Sequence, residues 1–104
     1  MKTMDEYDDW WLVKEPSQEG TMVTIGFLSS RIQEWGHLLF LDLPMVGAIL
    51  NRGDLFVSIE AANAITFSAS PVTGKIIAIN PALNGWVNHQ ASGSDWLMKL
   101  LIKD

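Results

Sequence analysis

A chain of 104 residues has room for one modest hydrophobic core and not for two. Its 48% hydrophobic and 18% charged side chains are those of a folded domain, which excludes intrinsic disorder. A formal net charge of −5 and a pI near 4.8 argue against nucleic acid or an anionic membrane as partner, because both are held by clustered Lys and Arg. With no cysteine, disulfides, thiolate catalysis and cysteine-ligated metals all fall away.

In chain order, Met1 to Asp9 sets four carboxylates (Asp5, Glu6, Asp8, Asp9) against Lys2, and is expected to be an acidic, loosely held lead-in to a single domain over residues 10–104. It has no apolar h-region, so neither a secretory signal nor a transit peptide is expected. Apolar runs such as Leu38 to Leu41 are far too short to span a bilayer, and the expected location is cytoplasmic. Trp10 to Val13 begin a first strand, Pro16 to Gly20 turn the chain, and Met22, Val23 and Ile25 return it to Gly26.

Ser29 to Trp35 reads as the one helix, with Ile32 and Trp35 on its core-facing side. Ser30 and Gln33 have capping-box spacing, and Gly36 can stop the helix. His37 to Leu43 is a strand closed by Pro44, which cannot donate to a ladder. Arg52-Gly53-Asp54 is a turn in which glycine supplies positive φ, and Lys75 to Ile79 is a later apolar strand. Asn84 to Asp95 is a polar loop, and Trp96 to Ile102 is the last strand. A weak echo joins Gly47 to Asn51 with Gly74 to Asn80: a glycine, an apolar run and an asparagine in each.

Between these lies LFVSIEAANAITFSASPVTG, residues 55–74. Period-2 spacing sets Phe56, Ser58 and Glu60 on one face of a strand and Leu55, Val57 and Ile59 on the other. Ala61-Ala62-Asn63-Ala64 is an exposed tight turn, and the chain returns through Ile65 and Phe67 in a second strand apolar enough for the core. Many short strands and a single helix predict an all-β sandwich or flattened barrel.

No catalytic constellation accompanies this frame. His37 and His89 stand too far apart in sequence to suggest a metal site or a nucleophile-base pair, and no Gly-rich phosphate loop occurs. A non-enzymatic chain without a metal is expected. Most of the five tryptophans should be core, while an exposed one could anchor a partner.

The run Gly26-Phe27, Trp35-Gly36, Phe40, Leu43-Pro44, Val46-Gly47, Gly53-Asp54, Glu60, Ala64, Pro71-Val72, Gly74, Asn80 and Ala82-Leu83 resembles the glycine cleavage system H protein family, without a gap over these residues. The likeness continues through Val87-Asn88, Gly93 and Trp96-Leu97. It implies the barrel-sandwich hybrid of lipoyl and biotinyl carriers, two small antiparallel sheets with the modified residue at a hairpin tip. In the family that residue is a lysine, three positions after a glutamate and directly before a small residue. Glu60 and Ala64 fit, and the lysine's position is Asn63.

Lipoate is attached by acylating a primary amine, which a carboxamide lacks. No cofactor is therefore expected on this chain, although Asn63 holds the cofactor position. The resemblance implies partner contacts through Glu60, Ala62, Asn63 and Ala64, with a lipoate ligase or the glycine cleavage enzymes as partners. Two readings stand: a scaffold that now acts only by protein binding, or a member of an aminomethyl-carrying lipoyl system in which Asn63 is one inactivating substitution. Taken alone, Asn63 is a turn residue that tolerates left-handed backbone, and Glu60 an exposed strand-end carboxylate.

Overall fold

The structure, a computed structural model, describes residues 2–103. Ten strands, one α-helix and one 3₁₀ turn make two antiparallel sheets. The strands are β1 (Thr3–Tyr7), β2 (Trp10–Ser17), β3 (Gly20–Phe27), β4 (Leu38–Asp42), β5 (Ile49–Leu50), β6 (Leu55–Ala61), β7 (Ala64–Ala69), β8 (Gly74–Ile79), β9 (Gly85–Trp86) and β10 (Met98–Ile102). The helix α1 (Ser29–Trp35) follows β3, and the 3₁₀ turn spans Pro81–Leu83. The larger sheet has the order β1-β2-β3-β10-β8-β5 and the smaller β7-β6-β4-β9. Mostly antiparallel sheets with one short helix bear out the expected flattened barrel.

The last strand holds the larger sheet together. β10 lies between β3 and β8, Leu100 opposite Val23 on one side and Ile76 on the other, so the chain's end joins its first meander to its later strands. The echoed segments meet directly, since β5 pairs with β8, Ile49 opposite Lys75 and Leu50 opposite Gly74.

Between the sheets, alternation buries Val23, Ile25, Leu41, Val57, Ile59, Ile76 and Leu100. An aromatic cluster fills one end: Trp10 stacks on Phe27 at 4.6 Å, and Phe27 meets Trp35 edge-on at 5.3 Å. Each such pair adds about 1 kcal/mol beyond the area it buries. Ile32 and Trp35 are the buried face of α1, as their spacing predicts.

Four expectations are corrected. The acidic lead-in is not loose: residues 3–7 are β1, paired with β2 from Thr3 opposite Lys14 to Tyr7 opposite Trp10. All five residues are exposed, so the strand is held by ladder hydrogen bonds without burying side chains, and no apolar alternation advertises it. The capping box does not form; Leu28 is the helix N-cap and no side chain caps it. A register shift between Leu55 and Val57 reverses the start of β6, leaving Leu55 69% exposed and Phe56 buried. The polar stretch after Asn84 contains β9, two residues paired with β4.

Candidate functional site at the hairpin tip

Strands β6 and β7 form a hairpin closed by two residues, Ala62 and Asn63, with Ala61 opposite Ala64. Hairpins this tight usually take positive φ in the turn, yet neither turn residue does; Asp8 is the only non-glycine with positive φ among the described residues. The left-handed tolerance of asparagine is thus not what places Asn63. The tip is fixed by a docking contact instead.

The Asn63 backbone N–H donates to the Trp35 carbonyl at 2.8 Å, and the Ala62 N–H donates to the His37 carbonyl at 2.9 Å. Helix C-termini leave carbonyls without internal partners, and the hairpin supplies donors just where α1 ends. Gly36 makes this approach possible. Its φ of +81° is open to glycine, and a Cβ there would stand 2.8 Å from Asn63 Nδ2 and 3.3 Å from the Ala62 methyl. The turn is therefore held rigidly while the Ala62 and Asn63 side chains face solvent.

Of the expected site residues, Glu60, Ala62 and Asn63 are exposed and Ala64 is half-buried. Glu60 sits one row back from the tip, opposite Ile65 on β7 and Phe40 on β4. The row continues to Trp86, which meets Phe40 edge-on at 4.9 Å and is 70% exposed. The next row places Ser58 between Asp42 and Phe67. Ile65 and Phe67, expected in the core, are 82% and 61% exposed on this outer face. The inner side of β7 carries Ser68 instead, its hydroxyl donating to the Asp9 carboxylate at 2.6 Å. Their apolar character pointed to the core, and the pairing of β7 with β6 turns them to the outer face instead.

The histidines stay apart. His37 Nδ1 lies 3.1 Å from Gln90 Oε1, and His89 Nε2 lies 3.5 Å from Asp95. Among the described residues no three His, Cys, Asp or Glu side chains gather as a metal site. A groove of about 510 Å³ lies at the N-terminal end of α1 among Met4, Trp11, Val13 and Leu28, with Glu6 as its one carboxylate. Arg31 on α1 approaches Asp9 at 2.8 Å and Glu34 at 3.0 Å, and these partners, Glu34 foremost, raise its pKa further. The Asp9 approach is a charge contact in which the Nε–H is not aimed as in a hydrogen bond.

The lysines are distributed one-sidedly. Lys14, Lys75 and Lys99 belong to strands of the larger sheet, and Lys2 and Lys103 flank its first and last strands. No strand of the smaller sheet contains a lysine or arginine. A group needing a primary amine at this tip finds only the Asn63 carboxamide.

The family profile "Glycine cleavage H-protein" matches residues 2–104. The glycine cleavage system H protein of Bartonella tribocorum is 34% identical over 106 residues, an alignment covering 99% of this chain and 84% of that protein. That of Nostoc punctiforme is 36% identical over 89 residues, covering 83% and 69%. The crystal structure of a glycine cleavage system H protein from Mycobacterium marinum superposes with a TM-score of 0.73 at 23% identity, covering 94% of this chain and 81% of that one, a likeness of fold. No helix among the described residues is long and apolar enough to cross a membrane. By its matched residues and its relatives, the chain belongs to the glycine cleavage H-protein family.

Proposed function

We propose that this chain is an H-protein scaffold that works by binding other proteins through its hairpin tip, with Asn63 standing where the family bears its lipoyl-lysine. Members of the family are carriers rather than catalysts: the scaffold gives reach and effective concentration while the attached group does the chemistry. The observation that carries the reading is the tip itself, a two-residue turn held to the end of α1 by backbone hydrogen bonds from Ala62 and Asn63. Those bonds do not depend on the side chain at position 63, so the presenting geometry survives with an asparagine in place. Glu60, Ala62 and Ala64 form the surface that a lipoate ligase or a glycine cleavage enzyme would meet.

Lipoate does not fit this site, because an amide nitrogen is not acylated as an amine is and the lysines lie on the other sheet. The protein therefore acts as an unloaded carrier that occupies a docking site. The test is incubation with a lipoate ligase, lipoate and ATP, read by intact mass. The native chain gains nothing, whereas Asn63→Lys gains one lipoyl group. A folded Asn63→Lys protein that stays unmodified would remove the ligase-facing part of this reading, and a lipoylated native chain would overturn the whole.

A further inference from the structure

We infer that two copies of this chain associate through the free edge of β7, joining their four-stranded sheets into one. The two sheets have four edges, and three are guarded. β1 carries Asp5 and Glu6, while β5 and β9 are two residues long. β7 is the exception: Ala64–Ala69 is six residues with no charge, no proline and no glycine, rich in β-branched and aromatic side chains.

The backbone says which groups are free. The Ala62 N–H reaches the His37 carbonyl on the β4 side, so along β6 the polar groups of Glu60 point toward β4 and those of Ala61 and Ile59 toward β7. Along β7, Ala64 and Thr66 answer Ala61 and Ile59, which leaves the N–H and C=O of Ile65 and Phe67 directed outward, the Phe67 carbonyl accepting only a long local bond from Thr66 Oγ1 at 3.4 Å. Ala69 obeys the same alternation, its carbonyl accepting from Trp10 Nε1 at 2.9 Å on that outer side. The Trp10 corner thus closes the end of the edge, and the open portion is Ile65 to Phe67.

That portion is complementary to itself. In an antiparallel pair, opposed residues share a face, so a two-fold axis through Thr66 sets Ile65 of each copy opposite Phe67 of the other. Their outward backbone groups then exchange hydrogen bonds, and two cross-strand pairs of aromatic with β-branched side chains form on the exposed face. The net charge of −5 does not oppose this. Glu60 is aligned with Ser58 of the second copy, three strand spacings or about 14 Å away, beyond the screening length of about 8 Å at physiological salt. The contact is small, and the dimer belongs to the weak class of interfaces.

The test is sedimentation velocity of the full chain from about 5 µM to 1 mM, concentrations that span weak dissociation constants. Alongside it, amide hydrogen exchange is followed at low and high concentration. The expected result is a monomer-dimer equilibrium, with exchange at Ile65 and Phe67 slowing as concentration rises. Ile65→Lys and Phe67→Lys, both at exposed positions, each weaken association about tenfold or more. Circular dichroism and thermal unfolding confirm that the variants fold. A chain that stays monomeric throughout overturns the proposal, and so does a dimer that survives both lysines.

Discussion

Three hairpins in this molecule close with two residues, and two of them differ in what holds the turn. The turn between β1 and β2 relies on its own side chains: Asp8 takes φ +56°, and the Asp9 carboxylate fastens the corner to Arg31 at 2.8 Å and to Ser68 at 2.6 Å, beside one backbone bond from the Leu28 N–H to the Asp9 carbonyl at 2.9 Å. The turn between β6 and β7 has no left-handed residue and no side-chain fastening. It is held from outside, by donation to the carbonyls of Trp35 and His37. A turn fixed by side chains is tied to its sequence, whereas one fixed by backbone contacts leaves its side chains free to change. The second arrangement lets the tip change its side chains without changing its shape.

Substitutions can break this contrast in order of size. The largest effect is expected at Gly36, where valine would meet both a glycine-only backbone conformation and the Asn63 amide. Gly36→Val should cost about 3 kcal/mol or more in urea unfolding. It should also free the tip, read as faster amide exchange at Asn63; unchanged exchange would mean that the helix end does not hold the turn. Next is Asp9→Ala, which strands the buried Ser68 hydroxyl and removes one Arg31 partner, for about 1 to 3 kcal/mol.

Asp8→Gly works the other way. It removes a left-handed penalty of about 1 to 2 kcal/mol but gives back about 0.4 to 1 in unfolded-chain entropy, so a net gain of about 0.5 kcal/mol is expected. The smallest effect belongs to Asn63→Lys, within about 0.5 kcal/mol of the native chain, because an exposed side chain on a backbone-held turn contributes little. A larger loss would place Asn63 among the residues that build the turn.

Much of this was legible in the residues. The helix bounds, the Ala61 to Ala64 turn and the buried face of β6 beyond Val57 follow from apolar spacing and turn chemistry. The resemblance to the H-protein family rested on glycines and prolines at fixed positions, which the fold places at turns and close approaches. What escaped was structure made by backbone pairing alone. β1 buries no side chain and β9 is two residues long, so neither leaves an apolar period to read. The docking of the tip escaped for the same reason, since it depends on two N–H groups and on where a distant helix stops. Ile65 and Phe67 misled in the other direction: apolar residues pointed to a core, and the sheet turned them to solvent.

The one-sided distribution of lysines has a practical consequence. Five amines cluster on or beside the larger sheet, so reagents that acylate lysine will attach there and leave the hairpin face chemically untouched. Anchored through those amines to a sensor chip or resin, the molecule keeps the strands of its smaller sheet, the tip among them, free of attachment points.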